Sequence, residues 1–314
     1  MHALEREFKL LQAEGVIDGE TASRAIAADR RDVLSVHFEL RSAMYAGVLL
    51  VVGGVGMVLA RNLDRIGPLA IALGLALAAL VCAIPAVRAR TADRPLSAAA
   101  DYLLLLGALL ASADLAYVET QFKLLGPLWS WHLLWLAVAH AVLAYTFRST
   151  LVLAASLTSL AGWFGAGSTM GDVMLSYTSP EVGARALACA AVIAAWRNVD
   201  LRVRPATQFS GTFDHFAANL AFVGAVAWCV DWPWLATGLP LLAGLAFVSI
   251  RHAFNTGREA FLVYGVLYAA LGFCVAVVPH VDDFTAACAL VLLVVCGSAT
   301  AIWQMRRQLR EPVA

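Results

Sequence analysis

Residues 42–60, SAMYAGVLLVVGGVGMVLA, run for nineteen positions without a charge, behind forty-one residues that are mostly polar. Coiled as a helix, the stretch would measure about 28 Å, close to the hydrocarbon thickness of a bilayer. A soluble fold rarely needs an apolar helix of that length. The stretch therefore predicts a first transmembrane helix that divides a polar head from a membrane body.

Nine more apolar runs follow, at 66–87, 97–118, 127–147, 149–164, 182–196, 215–230, 233–250, 259–278 and 284–303. Run 182–196 is the shortest and contains Arg185, so it has the weakest claim to span; without it the count is nine and the C-terminus changes side. Composition agrees with the pattern. Only 14% of the residues are charged, against about 25% in an average soluble protein, and lipid-facing helices cannot carry charge cheaply. The expected fold class is all-α: a polytopic transmembrane helical bundle of about ten spans with a small N-terminal cytosolic helical head. Residues 1–41 form the head, 42–304 the bundle and 305–314 a basic tail.

Charge asymmetry orients the bundle. With the head in the cytosol, eighteen of the 22 Lys and Arg fall in inner segments, and Arg61, Arg65, Lys123 and Arg185 remain outside. That bias is the positive-inside pattern, with both termini cytosolic. Trp129, Trp131, Trp163, Trp228, Trp232 and Trp234 lie near the outer ends, as an interfacial belt requires, with Trp196 and Trp303 at the inner ends.

In the head, Leu4, Phe8 and Leu11 recur at helical spacing and Gly15 reads as the residue that ends the helix. Asp18 can cap a second helix, with Glu20 at its positive end and Ile17 positioned to staple onto Ala22. Two helices joined by a tight turn suggest DNA binding, but six basic residues against eight acidic ones give the head a net charge of −2. Phosphate neutralisation needs the opposite sign, so no nucleic-acid partner is expected. Docking of a protein partner or packing on the bilayer surface fits better.

Small residues on the first helix (Ala43, Gly47, Gly54) and on the second (Ala70, Gly74, Ala78) predict a tight hairpin between the two. All six cysteines lie within apolar runs and no CxxC occurs, so neither disulfide nor zinc site is expected. No metal and no cofactor is called for by any motif.

Ionisable residues within membrane helices are costly and mark candidate sites. The third span carries Asp101, in its first turn, and Asp114, on a face with Gly107 and Ala111. The fourth carries His132 and His140. Asp114 and His132 fall at similar depth below the outer surface, and a carboxylate beside an imidazole could relay a proton. A weaker cluster at the outer face, His280, Asp282 and Asp283 with Asp231, Asp172, Asp64 and Arg61 in other turns, has the oxygen and nitrogen donors to hold a divalent cation. No Gly-rich phosphate loop, nucleophile elbow or HExxH is present, so enzymatic activity is not expected.

Leu10–Leu11 followed by Glu14–Gly15–Val16–Ile17, the glycine-rich first span, and the Ala60–Arg61–Asn62 turn leading to Ile66 together resemble the opening of the bacterial DUF2157-type predicted membrane proteins. The likeness covers about residues 1–90 and departs at the turn, where the family's Asn-Trp is Asn62–Leu63. It implies a multi-pass protein of the bacterial cytoplasmic membrane and no mechanism. Ten helices in this length are also similar to drug/metabolite-type permeases, though no permease motif occurs. Two functions therefore stand: a non-catalytic membrane subunit or scaffold with a docking head, and a proton-linked small-solute permease using Asp114, His132 and His140. A permease predicts a polar cavity at mid-membrane beside a broken helix. A scaffold predicts an apolar, well-packed interior.

Overall fold

A computed structural model describes residues 11–13, 15–29, 37–62, 67–123, 130–165, 180–204, 208–230 and 232–310. The described residues are helical throughout, with turns between and no strand. The first helix, α1, is Gly19–Asp29, in the head. The bundle follows as α2 His37–Asn62, α3 Pro68–Thr91, α4 Ala98–Phe122, α5 Trp131–Phe147, α6 Thr150–Gly165, α7 Pro180–Val203, α8 Ser210–Val230, α9 Trp232–Thr256, α10 Glu259–Val277 and α11 Phe284–Arg310.

In the head, the Gly15 turn and the Asp18 cap form as their residues predict, while Leu4 and Phe8 lie outside the described residues. Gly15 adopts φ +73°, with Gly15 and Val16 donating back to Gln12 and Leu11. Asp18 Oδ1 accepts from Thr21 N at 2.7 Å, satisfying a donor that the first turn of α1 leaves open. Hydrogen bonding from the Thr21 side chain, and then from its backbone N–H, holds the Asp18 carboxyl below its ordinary range, because both favour the charged form. Residues 30–36 lie outside the described residues, and α2 begins at His37.

Among the described residues, seven helices are long and apolar enough to cross a bilayer: α3, α4, α7, α8, α9, α10 and α11. Three shorter apolar helices lie within α2 and in α5 and α6. Segment 182–196, the weakest candidate, belongs to one of the seven. Its helix extends at both ends, to Pro180 and Val203. Pro85 and Pro240 lie within α3 and α9 without ending them.

Packing joins chain neighbours as antiparallel pairs, α3 with α4, α5 with α6, α7 with α8 and α9 with α10, while α8 also contacts α9 and α10. The main core gathers Leu104, Leu153, Leu157, Ile193 and Phe213 from α4, α6, α7 and α8. A close crossing lies between α7 and α8. A Cβ on Gly224 would stand 2.8 Å from the Gly183 carbonyl oxygen, and one on Gly183 would stand 2.9 Å from that of Gly224. Bare backbone on both sides is what permits that approach.

The expected hairpin of the first two spans is different. A Cβ on Gly47, Gly54 or Gly74 would meet nothing within 4 Å. Instead, Met44 and Val48 of α2 pack on Tyr102 and Leu105 of α4, and α3 closes on α4 where Gly107 meets the Ala79 carbonyl. Small residues permit close approach in lipid but do not drive it, and the larger apolar surface of α4 wins both neighbours.

Candidate functional site

Polar side chains between the helices fall into three groups, from the end nearest Trp131 and Trp163, whose rings lie 6.2 Å apart, to the opposite, basic end. In the first group, α4 continues as helix through Phe122, which carries Glu119 onto the surface that His132 of α5 approaches. His132 Nε2 lies 3.7 Å from Glu119 Oε2, both side chains being largely buried. Asp114 stands apart on α4. Its Oδ1 is buried with no hydrogen-bond partner among the described residues, as is the Tyr117 hydroxyl one turn on.

The second group is at mid-helix. Ser112 Oγ donates to the Ala108 carbonyl at 2.8 Å, and His140 Nε2 lies 3.1 Å from the same Oγ. With the serine proton given to Ala108, Nε2 carries the proton that points at Oγ. His140 is 3% exposed and Ser156 Oγ donates to the Ala137 carbonyl at 2.7 Å, so both tie α5 to its neighbours.

The third group is the richest. At this end Ser97 Oγ caps α4 by accepting from Ala100 N. Asp101, in the first turn, accepts from Ser149 Oγ, and Ser149 also caps α6 by accepting from Val152 N. The Tyr145 hydroxyl donates to Asp200 Oδ1 at 3.0 Å and accepts from Trp196 Nε1 at 3.2 Å, with the Arg204 guanidinium 4.8 Å above the Tyr145 ring. On α8, Asp214 is clasped by two cations. Arg197 Nε of α7 meets Oδ1, and Arg258 Nη1, just before α10, lies 3.1 Å from Oδ2. Below Asp214 runs a ladder: the Tyr264 hydroxyl lies 3.2 Å from His215 Nδ1, and Tyr268 donates to Asn219 Oδ1 at 2.9 Å. The Phe261 ring is flanked by His215, stacked at 5.0 Å, and by His252, edge-on at 4.8 Å.

Beside this cluster, a cavity of about 240 Å³ opens between α7 and α9, floored by Ala217 of α8. Arg197, Asn198, Asp214 and His252 surround its polar end.

Of the residues singled out by sequence, Asp114, His132 and His140 are thus placed on α4 and α5 but with separate surroundings: a buried oxygen without partner, a glutamate, and a serine. Asp101 serves a helix start. His280 lies in a short 3-10 turn and, with Asp282 and Asp283, is exposed. Asp283 Oδ1 accepts from Thr285 N at the start of α11. Asp64, Asp172 and Asp231 lie outside the described residues, and the Arg61 side chain is not described. Among the described residues no group of three His, Cys, Asp or Glu is placed to hold a metal, and the six cysteines are free.

Sequence reasoning passed over Asp200 and Asp214 and counted Arg197 and Arg258 only as inner-side charges. The available signal was an acidic residue inside an otherwise apolar helix with arginines at the ends of its neighbours.

Residues 9–153 match the DUF2157 family, described as a predicted membrane protein. The likeness read from the first 90 residues therefore extends through α2 to the first turn of α6. No curated protein and no solved structure matches the chain. The protein is a helical membrane protein.

Proposed function

We propose that the protein is a non-catalytic subunit or scaffold of the bacterial cytoplasmic membrane, with both termini in the cytosol and residues 1–41 as its docking element. One observation carries this reading. Polar side chains of α8 and α10, and Arg258 at the start of α10, are consumed in helix-to-helix contacts, Asp214 with Arg258, His215 with Tyr264 and Asn219 with Tyr268. In lipid such contacts fix helices to one another, which is the requirement of a rigid platform. Continuous helices at Pro85 and Pro240 support the same conclusion. The head contributes exposed Leu11 and Val16, apolar groups open to a protein partner.

Purification in mild detergent with and without residues 1–41 tests it. A stoichiometric protein partner lost on removal of the head is the expected result. Proton-driven solute uptake by the purified protein in vesicles would overturn it.

A proton-linked permease is the second reading, and the buried Asp114 Oδ1, without a hydrogen-bond partner among the described residues, is the observation in its favour. An intramembrane carboxylate without a partner is a proton site by default.

A further inference from the structure

The cleft between α7 and α9 has a pattern that neither reading uses. Ala194, Arg197 and Asn198 present one face of α7 to it, and Leu245, Val248, Ser249 and His252 present one face of α9, each set at helical spacing. Its composition changes along its length. Arg197 and His252 lie near the C-terminal ends of their helices and Asp214 near the start of α8, so the polar groups share one end of the bundle. Ala194, Ala217, Leu245 and Val248 line the part that lies deeper. The mouth faces outward from the bundle, since Val248 is 63% exposed.

Charge at the polar end is unbalanced. Asp214 is shared between Arg197 and Arg258, and Glu259 is engaged by Arg306 at 3.2 Å. Among the described side chains at this end of α7–α11 and in the turns beside it, seven arginines stand against three carboxylates, those of Asp200, Asp214 and Glu259. A cavity of about 240 Å³ is below the roughly 300–1,000 Å³ of pockets that enclose a whole small molecule. It suits a headgroup whose remainder stays in the bilayer.

We propose that this cleft binds one anionic phospholipid, its phosphate at Arg197 and its acyl chain along Leu245 and Val248. Basic recesses between membrane helices favour such headgroups because the lipid brings its negative charge to a fixed depth. A free anion from solution would make no use of the apolar half.

Native mass spectrometry of the full-length protein in mild detergent, titrated with phosphatidylglycerol, phosphatidylethanolamine or inorganic phosphate, tests the assignment. One phosphatidylglycerol should be retained in preference to phosphatidylethanolamine. Arg197→Gln should weaken that retention about fivefold, the contribution of one arginine near a lipid surface. Val248→Trp, at an exposed position that folding tolerates, should block the mouth and reduce phosphatidylglycerol to the level of phosphatidylethanolamine. Equal retention of the two lipids, or unchanged retention in Val248→Trp, overturns the proposal. Displacement of the lipid by millimolar phosphate overturns it too, by assigning the site to a free anion.

Discussion

The Asp214 carboxylate lies 3.1 Å from Arg258 Nη1 while its other oxygen meets Arg197, so one side chain of α8 ties α7 to the start of α10. Asp214 is only 13% exposed, against 43% for Arg258. Removing the shared anion leaves two cations facing each other, whereas removing Arg258 leaves a pair intact. Asp214→Asn should therefore destabilise the bundle by about 2 kcal/mol and Arg258→Gln by distinctly less. Thermal unfolding in detergent measures both; equal effects would show that the two contacts do not share one carboxylate.

Tyr145 and Asp200 make the second test. Asp200 is 6% exposed, and its Oδ2 already lacks a partner among the described residues. Tyr145→Phe takes away the donor to Oδ1 and should cost about 1–3 kcal/mol. In an Asp200→Ala background the same change should cost much less, because no stranded carboxylate remains. A double-mutant cycle in detergent melts supplies the comparison, and additive losses would contradict the pairing.

The α7–α8 crossing yields a steric prediction. Gly224→Val places branched carbon against the Gly183 carbonyl, where even a Cβ would stand at 2.8 Å. The expected result is a loss of about 2 kcal/mol or more, read as reduced folded yield by size exclusion. Gly74→Ala, facing open space, should change stability by less than about 0.5 kcal/mol. Similar yields for the two variants would contradict the close crossing.

How far the sequence anticipates this arrangement depends on whether the deciding partner is local. The Asp18 cap and the Gly15 turn involve residues within a few positions, and both are legible. The end of α7 is not. Arg197 and Asp200 interrupt the apolar run and suggest a helix ending at 196, yet the helix continues to Val203. Arg197 is accommodated by Asp214 and Asp200 by Tyr145, partners from α8 and α5 that no local pattern discloses. His132 follows the same logic. Reading Glu119 as part of a connection leaves Asp114 as the available carboxylate, but α4 runs to Phe122 and brings Glu119 onto its helical face. Small-residue stripes mislead for another reason: they mark where helices can approach, and packing area decides which ones do.

In the head, the hydrogen bonds that depress the Asp18 carboxyl also fix a pH dependence. A carboxylate whose folded pKa is lowered stabilises the folded form above its unfolded value, and that contribution is lost as pH falls through the folded one. Amide exchange at Thr21 and Ala22 should therefore be slow at neutral pH and accelerate below about pH 4 beyond the intrinsic trend. Asp18→Ala should abolish the acid-dependent part. Exchange rates that differ from wild type by the same factor at every pH would show that the cap contributes nothing as an anion.

Asp114 separates the two functional readings. A scaffold has no use for its charge, and the buried Oδ1 is then simply a cost that Asp114→Asn would ease by giving α4 a neutral side chain of the same shape. A proton-linked permease needs that carboxyl to load and release a proton. The measurement is uptake of protons by vesicles containing the purified protein, under an imposed pH gradient, for wild type and for the Asn variant. On the scaffold reading neither leaks protons above protein-free vesicles, and Asp114→Asn is at least as thermally stable as wild type. Proton flux in wild type that disappears in Asp114→Asn, with folded yield unchanged, would reverse the order of the readings. His132→Gln then distinguishes a relay through the neighbouring imidazole from a lone carboxylate, since His132 faces Glu119 and its loss should leave an Asp114-dependent flux in place unless the Glu119–His132 pair is the next station.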